Sequence, residues 1–179
     1  IRMKKINYNY RDSEDYANWA VKSCAINNAG TLTVGSGTTI ENYTTMARSD
    51  KKDSITAARK YQDLFVYSIG IYNTGTVTSR GNIKSGSLAS GTIGTSNSWM
   101  VDFAYGTYGG TVLVESGTID VVTKSGFLAR NSSGKNGNKV YSFATGICAD
   151  NAVVLGKTTI NTNATTWKSQ AAGDTWSSG

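Results

Sequence analysis

The feature that most constrains this chain is a block that recurs along it. Ser68 to Ser79 reads S-I-G-I-Y-N-T-G-T-V-T-S: an apolar opening, a small polar turn and a short strand. Ser23 to Val34 (S-C-A-I-N-N-A-G-T-L-T-V) and Ala104 to Val114 (A-Y-G-T-Y-G-G-T-V-L-V) repeat it. Tyr141 to Leu155 is a looser copy that renews the Tyr67-Ser68-Ile69 opening as Tyr141-Ser142-Phe143. The copies close alike, on Ser36-Gly37-Thr38-Thr39-Ile40, Arg80-Gly81-Asn82-Ile83, Ser116-Gly117-Thr118-Ile119 and Lys157-Thr158-Thr159-Ile160, which makes four imperfect repeats.

Taking Thr31, Thr76, Thr111 and Val153 as equivalent strand openings gives offsets of 45, 35 and 42 residues. A period of that size marks units that cannot bury their apolar face alone and must stack on their neighbours. Thr31-Leu32-Thr33-Val34 and Thr76-Val77-Thr78 alternate with period two, as half-buried strands do, with none of the 3.6-residue periodicity of helical repeats. The expected fold is all-β, a parallel β-solenoid (β-helix), with surface loops absorbing the uneven offsets. A β-sandwich also spaces short strands between turn signals. It rarely repeats its own sequence, however, and the turns here are Ser-Gly, Asn-Gly and Gly-Gly in a chain without proline.

Within this scheme, residues 1–22 read as an N-terminal strand and capping helix, 23–160 as the solenoid, and 161–179 as a C-terminal cap or truncated continuation. Ile6, Tyr8 and Tyr10 alternate with Asn7 and Asn9, which predicts an edge strand. Asp12-Ser13-Glu14-Asp15 supplies capping and helix-dipole chemistry, and Tyr16, Trp19 and Ala20 fall at helical spacing. A short helix over about 13–22 is predicted, covering the strand edge at the solenoid end. Residues 41–64 depart from the repeat as an insertion, with a second predicted helix over Ser54 to Tyr61. The insertion brings together Arg48, Lys51, Lys52, Arg59 and Lys60 as a candidate patch for an anionic partner; Asp50, Asp53 and Asp63 among them make a plain solvated face the competing reading.

Further along, Gly81, Gly86 and Gly91 each precede an aliphatic residue by two positions, a five-residue step that resembles pentapeptide-repeat helices and reads as tightly turned coil. Thr111-Val112-Leu113-Val114 lacks strict alternation, which suits burial on both sides. Residues 130–139 read as a hairpin tip. Trp167 and Trp176 are expected to fold over the last coil or to mark a cut continuation.

Catalytic chemistry has few carriers here. The chain has no histidine, which removes Ser-His-Asp and Cys-His arrangements. Cys24 and Cys148 fall in the first and fourth repeats, too far apart to bridge if the repeats stack, and read as small buried residues; neither suggests a metal. Asp102, Glu115, Asp120 and Asp150 sit in separate repeats, so a paired-carboxylate glycosidase is not indicated. No cofactor motif is present. A net charge of +6 favours encounter with anionic surfaces or polymers, including lipopolysaccharide, glycosaminoglycan or nucleic acid. There is no specific nucleic-acid motif and no run of apolar residues long enough for a transmembrane segment.

The pattern N-x-G-T-[LV]-T-[VS] followed by S-G-T-[TI]-I, as in Asn28 to Ile40, together with Ser68 to Gly75, resembles the passenger regions of bacterial autotransporter adhesins over about residues 23–160. The resemblance implies a right-handed parallel β-helix, extracellular or on the bacterial cell surface. It would be non-enzymatic and used for adhesion or self-association, its partners other copies of itself or host and bacterial surface glycans. One alternative is a structural subunit that polymerises head to tail into an extracellular filament. A second is a polysaccharide-degrading β-helix enzyme, which rests on fold analogy alone.

Overall fold

The computed structural model describes residues 6–11, 19–49, 64–93, 99–129, 139–170 and 175–178. Among these residues every regular element is a strand. In chain order they are β1 (Ile6–Arg11), β2 (Trp19–Asn28), β3 (Thr31–Val34), β4 (Thr39–Ser49), β5 (Leu64–Asn73), β6 (Thr76–Ser79), β7 (Asn82–Ile93), β8 (Trp99–Tyr108), β9 (Thr111–Ala129), β10 (Lys139–Cys148), β11 (Asn151–Gln170) and β12 (Thr175–Ser178).

The strands form two sheets. The smaller has the order β10-β8-β5-β2, and the larger runs β1-β4-β7-β9-β11-β12 with β3 and β6 joined beside β9. Every pairing is parallel except that of β11 with β12. Each repeat visits the smaller sheet and then the larger, and pairs with the repeat before and after it. Parallel neighbours therefore always carry equivalent positions of the repeat.

The register aligns the repeats residue by residue, apart from a shift between Val154 and Lys157 where β11 meets β9. Thr31, Thr76 and Thr111 lie in one column. In the fourth repeat the partner of Thr111 is Asn151, and Val153 lies opposite Leu113. The expected alignment was thus two residues out in that copy, because its Val-Val-Leu run has the same strand character in either register. The closing isoleucines Ile40, Ile83, Ile119 and Ile160 do form one continuous column across four strands. The first three are fully buried, whereas Ile160, on the last strand, is 41% exposed.

Facing the isoleucine column is a column of small residues. A Cβ built on Gly70 would lie 2.7 Å from Ile83 Cγ2, and those on Gly106 and Gly146 would press on Cγ2 of Ile119 and Ile160. The residue after each of the first two, Ile71 and Thr107, is itself fully buried. Two successive residues thus turn inward, a local bulging of the backbone that recurs in step from strand to strand and keeps the one-to-one register; the smaller must lack a side chain because the isoleucine methyl fills its space. One apolar cluster gathers here around Val34, Ile71, Val77, Val112, Val114 and the three buried isoleucines. A second contains Met46, Leu64, Val66, Ala89 and Met100.

Between the clusters runs a buried polar seam. Asn42 Nδ2 donates to Ser23 O (3.2 Å), Ser23 Oγ (3.0 Å) and Ser68 Oγ (3.0 Å). Ser85 Oγ donates to Ser68 O at 3.0 Å, and Ser87 donates to the Asp102 carboxylate. Hydrogen bonding among these short side chains makes most of this burial tolerable, although Ser79 Oγ, Asp102 Oδ2, Thr107 Oγ1 and Thr123 Oγ1 are buried without a partner. At the turns, Asn28 Nδ2 donates to Asn73 Oδ1 (2.7 Å), and Asn73 Nδ2 donates to the carbonyls of Gly75 (3.0 Å), Gly109 (3.3 Å) and Thr111 (3.2 Å). This asparagine pair holds three successive turns together.

Several expectations are corrected. The helix over 13–22 is not formed at its described end: Trp19 to Lys22 belong to β2 and pair with Leu64 to Tyr67. Val21 packs against the second apolar cluster while Ala20 is exposed, so tertiary burial with period two overrides the local helical spacing. The helix over 54–61 lies outside the described residues. The stretch expected to leave the repeat at Glu41 continues as β4 to Ser49. Residues 82–93 are one long strand, β7, and not tightly turned coil, since both edges are paired, to β4 and to β9. In β9, Val112 and Val114 are buried but Leu113 is only partly so, making this an alternating strand after all. β1 is an edge strand against β4. The 130–138 part of the expected hairpin tip lies outside the described residues, and Lys139 opens β10.

Candidate functional site

The smaller sheet carries a distinct outer face. Its inward positions, such as Val66 and Ser68 on β5, alternate with outward ones, and the register stacks the outward residues into four columns. These are Ala20-Phe65-Val101-Tyr141, Lys22-Tyr67-Phe103-Phe143, Cys24-Ile69-Tyr105-Thr145 and Asn27-Tyr72-Tyr108-Cys148. Eight of the chain's four Phe and ten Tyr residues lie here. Lys22 is the sole charged residue in the four columns, and none holds a carboxylate.

Parallel strands lie about 4.8 Å apart, so aromatic residues in one column are brought ring over ring. Tyr67 and Phe103 stack with centroids 4.9 Å apart and planes 7° from parallel, and Phe103 and Phe143 at 5.1 Å and 14°. Tyr72 stacks on Tyr108 at 5.9 Å, and Tyr105 meets the Tyr108 ring edge-on at 4.9 Å, tying two columns together. Lys22 Nζ sits 4.0 Å from the Tyr72 centroid, a cation–π contact that holds the ammonium against the face. Ile69 shares the outward column of Tyr105 and is 1% exposed. The Tyr105 phenol is pushed above its ordinary pKa, first by burial and then by the neighbouring Cys148, Tyr108 and Tyr67. Exposure is greatest at the two edges, with Ala20, Lys22 and Asn27 of β2 exposed and Phe143 of β10 at 46%.

Both cysteines are free thiols, and both are on this face and not in the core: Cys24 is half-buried and Cys148 exposed. That corrects the expectation of burial. Cys148 lies beyond the bulge at the Gly70, Gly106 and Gly146 level, so its outward facing depends on that bulge, whereas Cys24 lies just before it.

The larger sheet offers a second concavity of about 370 Å³, lined by Tyr43, Gly86, Leu88, Val122 and Lys124 among others. Gly86 forms its low point, and a Cβ there would lie 2.8 Å from the Tyr43 ring. Beside it runs a polar column, Glu41-Lys84-Asp120-Asn161, in which Asn161 Nδ2 donates to Asp120 Oδ1 at 2.7 Å.

The sequence-derived candidates fare differently. Of the basic patch, the backbone of Arg48 lies on β4 between Tyr10 and Gly91, while Lys51, Lys52, Arg59 and Lys60 lie outside the described residues. Among the carboxylates, Asp102 is fully buried on β8, Glu115 forms an ion pair with Arg80 and Asp120 bonds to Asn161. Burial raises the Asp102 pKa to about 7, against the pull of the Ser87 hydrogen bond. Among the described residues no group of three His, Cys, Asp or Glu side chains is placed to hold a metal ion. Among the described residues no helix is long and apolar enough to cross a membrane.

The aromatic face escaped the sequence reading, although a signal for it was present: Tyr67, Phe103 and Phe143 recur at the repeat offset. Matching Tyr67 to Tyr141 hid the column, because the true partner lies two residues later on the same side of the strand. Comparison with protein-family models, with curated proteins and with solved structures returns no match.

Proposed function

We propose that this chain is a parallel β-solenoid of the kind found in autotransporter adhesin passengers, acting as a non-enzymatic extracellular surface module in adhesion or self-association. The observation that carries this reading is the in-register parallel pairing of four repeats in the smaller sheet, which presents one aromatic, nearly uncharged face. Contiguous apolar surface of this kind marks a site of macromolecular contact. The net charge of +6 adds attraction to anionic cell-surface polymers without specifying one.

The second reading, a subunit stacking end to end into a filament, draws support from the last repeat. Val154 and Ile160 continue buried core columns and yet are 45% and 41% exposed, and among the described residues the free stretch of β11 pairs on one side only.

Beads coated with the protein test the adhesive reading. Clumping of the beads, or their retention on cell surfaces or immobilised anionic glycan, is expected; beads that do neither refute it. Charge reversal at Lys51, Lys52, Arg59 and Lys60 is expected to reduce glycan retention, and unchanged retention rejects that patch. Negative-stain microscopy separates the two readings, since isolated particles rule out the filament.

A further inference from the structure

We infer that the aromatic face of the smaller sheet is a homodimerisation surface, on which a second copy packs face to face with its strand order reversed, β2 of one copy over β10 of the other. This inference deepens the self-association reading and rests on it.

Three observations select this occupant. The first is size: four strands about 4.8 Å apart and ten residues long at about 3.3 Å each give a planar face of roughly 600 Å². Two such faces bury about 1,200 Å², the lower bound of a standard stable interface. The second is charge. A face with one ammonium and no carboxylate across its four columns offers no acidic complement to a basic partner, and meets a copy of itself with little electrostatic conflict.

The third is relief across the sheet. The outward residues of β2 are Ala20, Lys22, Cys24 and Asn27, whereas β10 presents Tyr141, Phe143, Thr145 and Cys148. A two-fold axis along the strands sets the low β2 edge of each copy under the high β10 edge of the other. It also keeps apart the two Lys22 ammoniums, each held over the Tyr72 ring of its own copy. The other two-fold, along the stacking direction, would pair β2 with β2 and leave a gap at one edge and a collision at the other. The resulting contact is isologous and closed, ending at a dimer and not a fibre.

The full chain is examined by light scattering coupled to size exclusion from micromolar to submillimolar concentration. A monomer–dimer equilibrium is expected. Phe143→Lys and Phe143→Glu are each expected to weaken the dimer about ten-fold or more, because either places an unpaired charge in a desolvated aromatic contact. Phe143 is 46% exposed in the single copy, so both variants are expected to keep the fold, checked by an unchanged far-ultraviolet circular dichroism spectrum. Strand order is read by a short bis-maleimide: a covalent dimer through Cys24 of one copy and Cys148 of the other is expected, lost in either Cys24→Ser or Cys148→Ser. A monomer at all concentrations, a dimer indifferent to Phe143→Lys, or a Cys148–Cys148 cross-link that survives Cys24→Ser overturns the inference. If coated beads still clump when Phe143→Lys abolishes nothing, the surface assignment has failed and the adhesive reading stands.

Discussion

Replacing Asp102 by Asn isolates what one buried carboxyl does to the stability of the interior. Asp102 lies on β8 with no solvent exposure, accepts a hydrogen bond from Ser87 at Oδ1, and has no partner at Oδ2. Its column neighbours are Val66 and Ser142, so no cation in register opposes it. Burial lifts its pKa from 3.8 to about 7, the Ser87 bond acting in the opposite direction. In the unfolded chain the group titrates at its ordinary value. Between about pH 4 and pH 7 the folded protein therefore holds a proton that the unfolded chain has released, and stability falls as pH rises through that window. The contribution is complete below about pH 4 and lost above about pH 7, and the shift corresponds to roughly 4 kcal/mol.

Asn keeps the shape and does not ionise. Urea unfolding of variant and wild type at about pH 4 and about pH 8 yields a stability difference at each pH. That difference is expected to move toward the variant by roughly 4 kcal/mol between acid and base. Any constant cost of placing an amide there cancels in the comparison. A difference that is flat with pH, or that moves toward the wild type, refutes the account of Asp102 as a neutral buried acid.

Thr107 fills a fully buried position between Ile71 and Ile147, and its Oγ1 has no hydrogen-bond partner. Thr107→Val, which removes an unpaired buried hydroxyl at nearly constant shape, is expected to raise stability by about 1–2 kcal/mol in chemical denaturation; a loss would mean that the hydroxyl is satisfied. Gly106→Ala is expected to destabilise by about 1–3 kcal/mol through overpacking, because the new Cβ presses on Ile119 Cγ2. The same Cβ would lie 2.5 Å from the Gly146 carbonyl oxygen. A thermal melt of that variant matching the wild type would show that the bulge has room to relax.

Much of the layering was legible because the same chemistry recurs where the same environment recurs. The Thr31, Thr76 and Thr111 openings and the isoleucine closings could be lined up by eye, and the structure pairs them. The fourth copy slipped at both its opening and its strand because Tyr141-Ser142-Phe143 and Val153-Val154-Leu155 look alike two residues to either side. A shift of two preserves the facing of every side chain and so leaves no trace in the alternation. The helix at the N-terminal end was misread at Trp19 to Lys22 because acids ahead of an aromatic spacing satisfy local rules, while the unpaired edge of β5 that captures this stretch is remote in sequence. The aromatic face and the outward Cys148 thiol were hidden by the bulge, which reverses the parity of each strand after its glycine.

What the sequence alone determined is the unit: its strand character, its small polar turns and the isoleucine on which it closes, all consequences of local period and composition. Tertiary structure decided which residues share a column, why a glycine must face each isoleucine, and that Tyr67, Phe103 and Phe143 lie ring over ring. Those outcomes depend on volumes meeting across the interior and on neighbours some 40 residues apart coming within one strand spacing, about 4.8 Å, a distance no local pattern encodes.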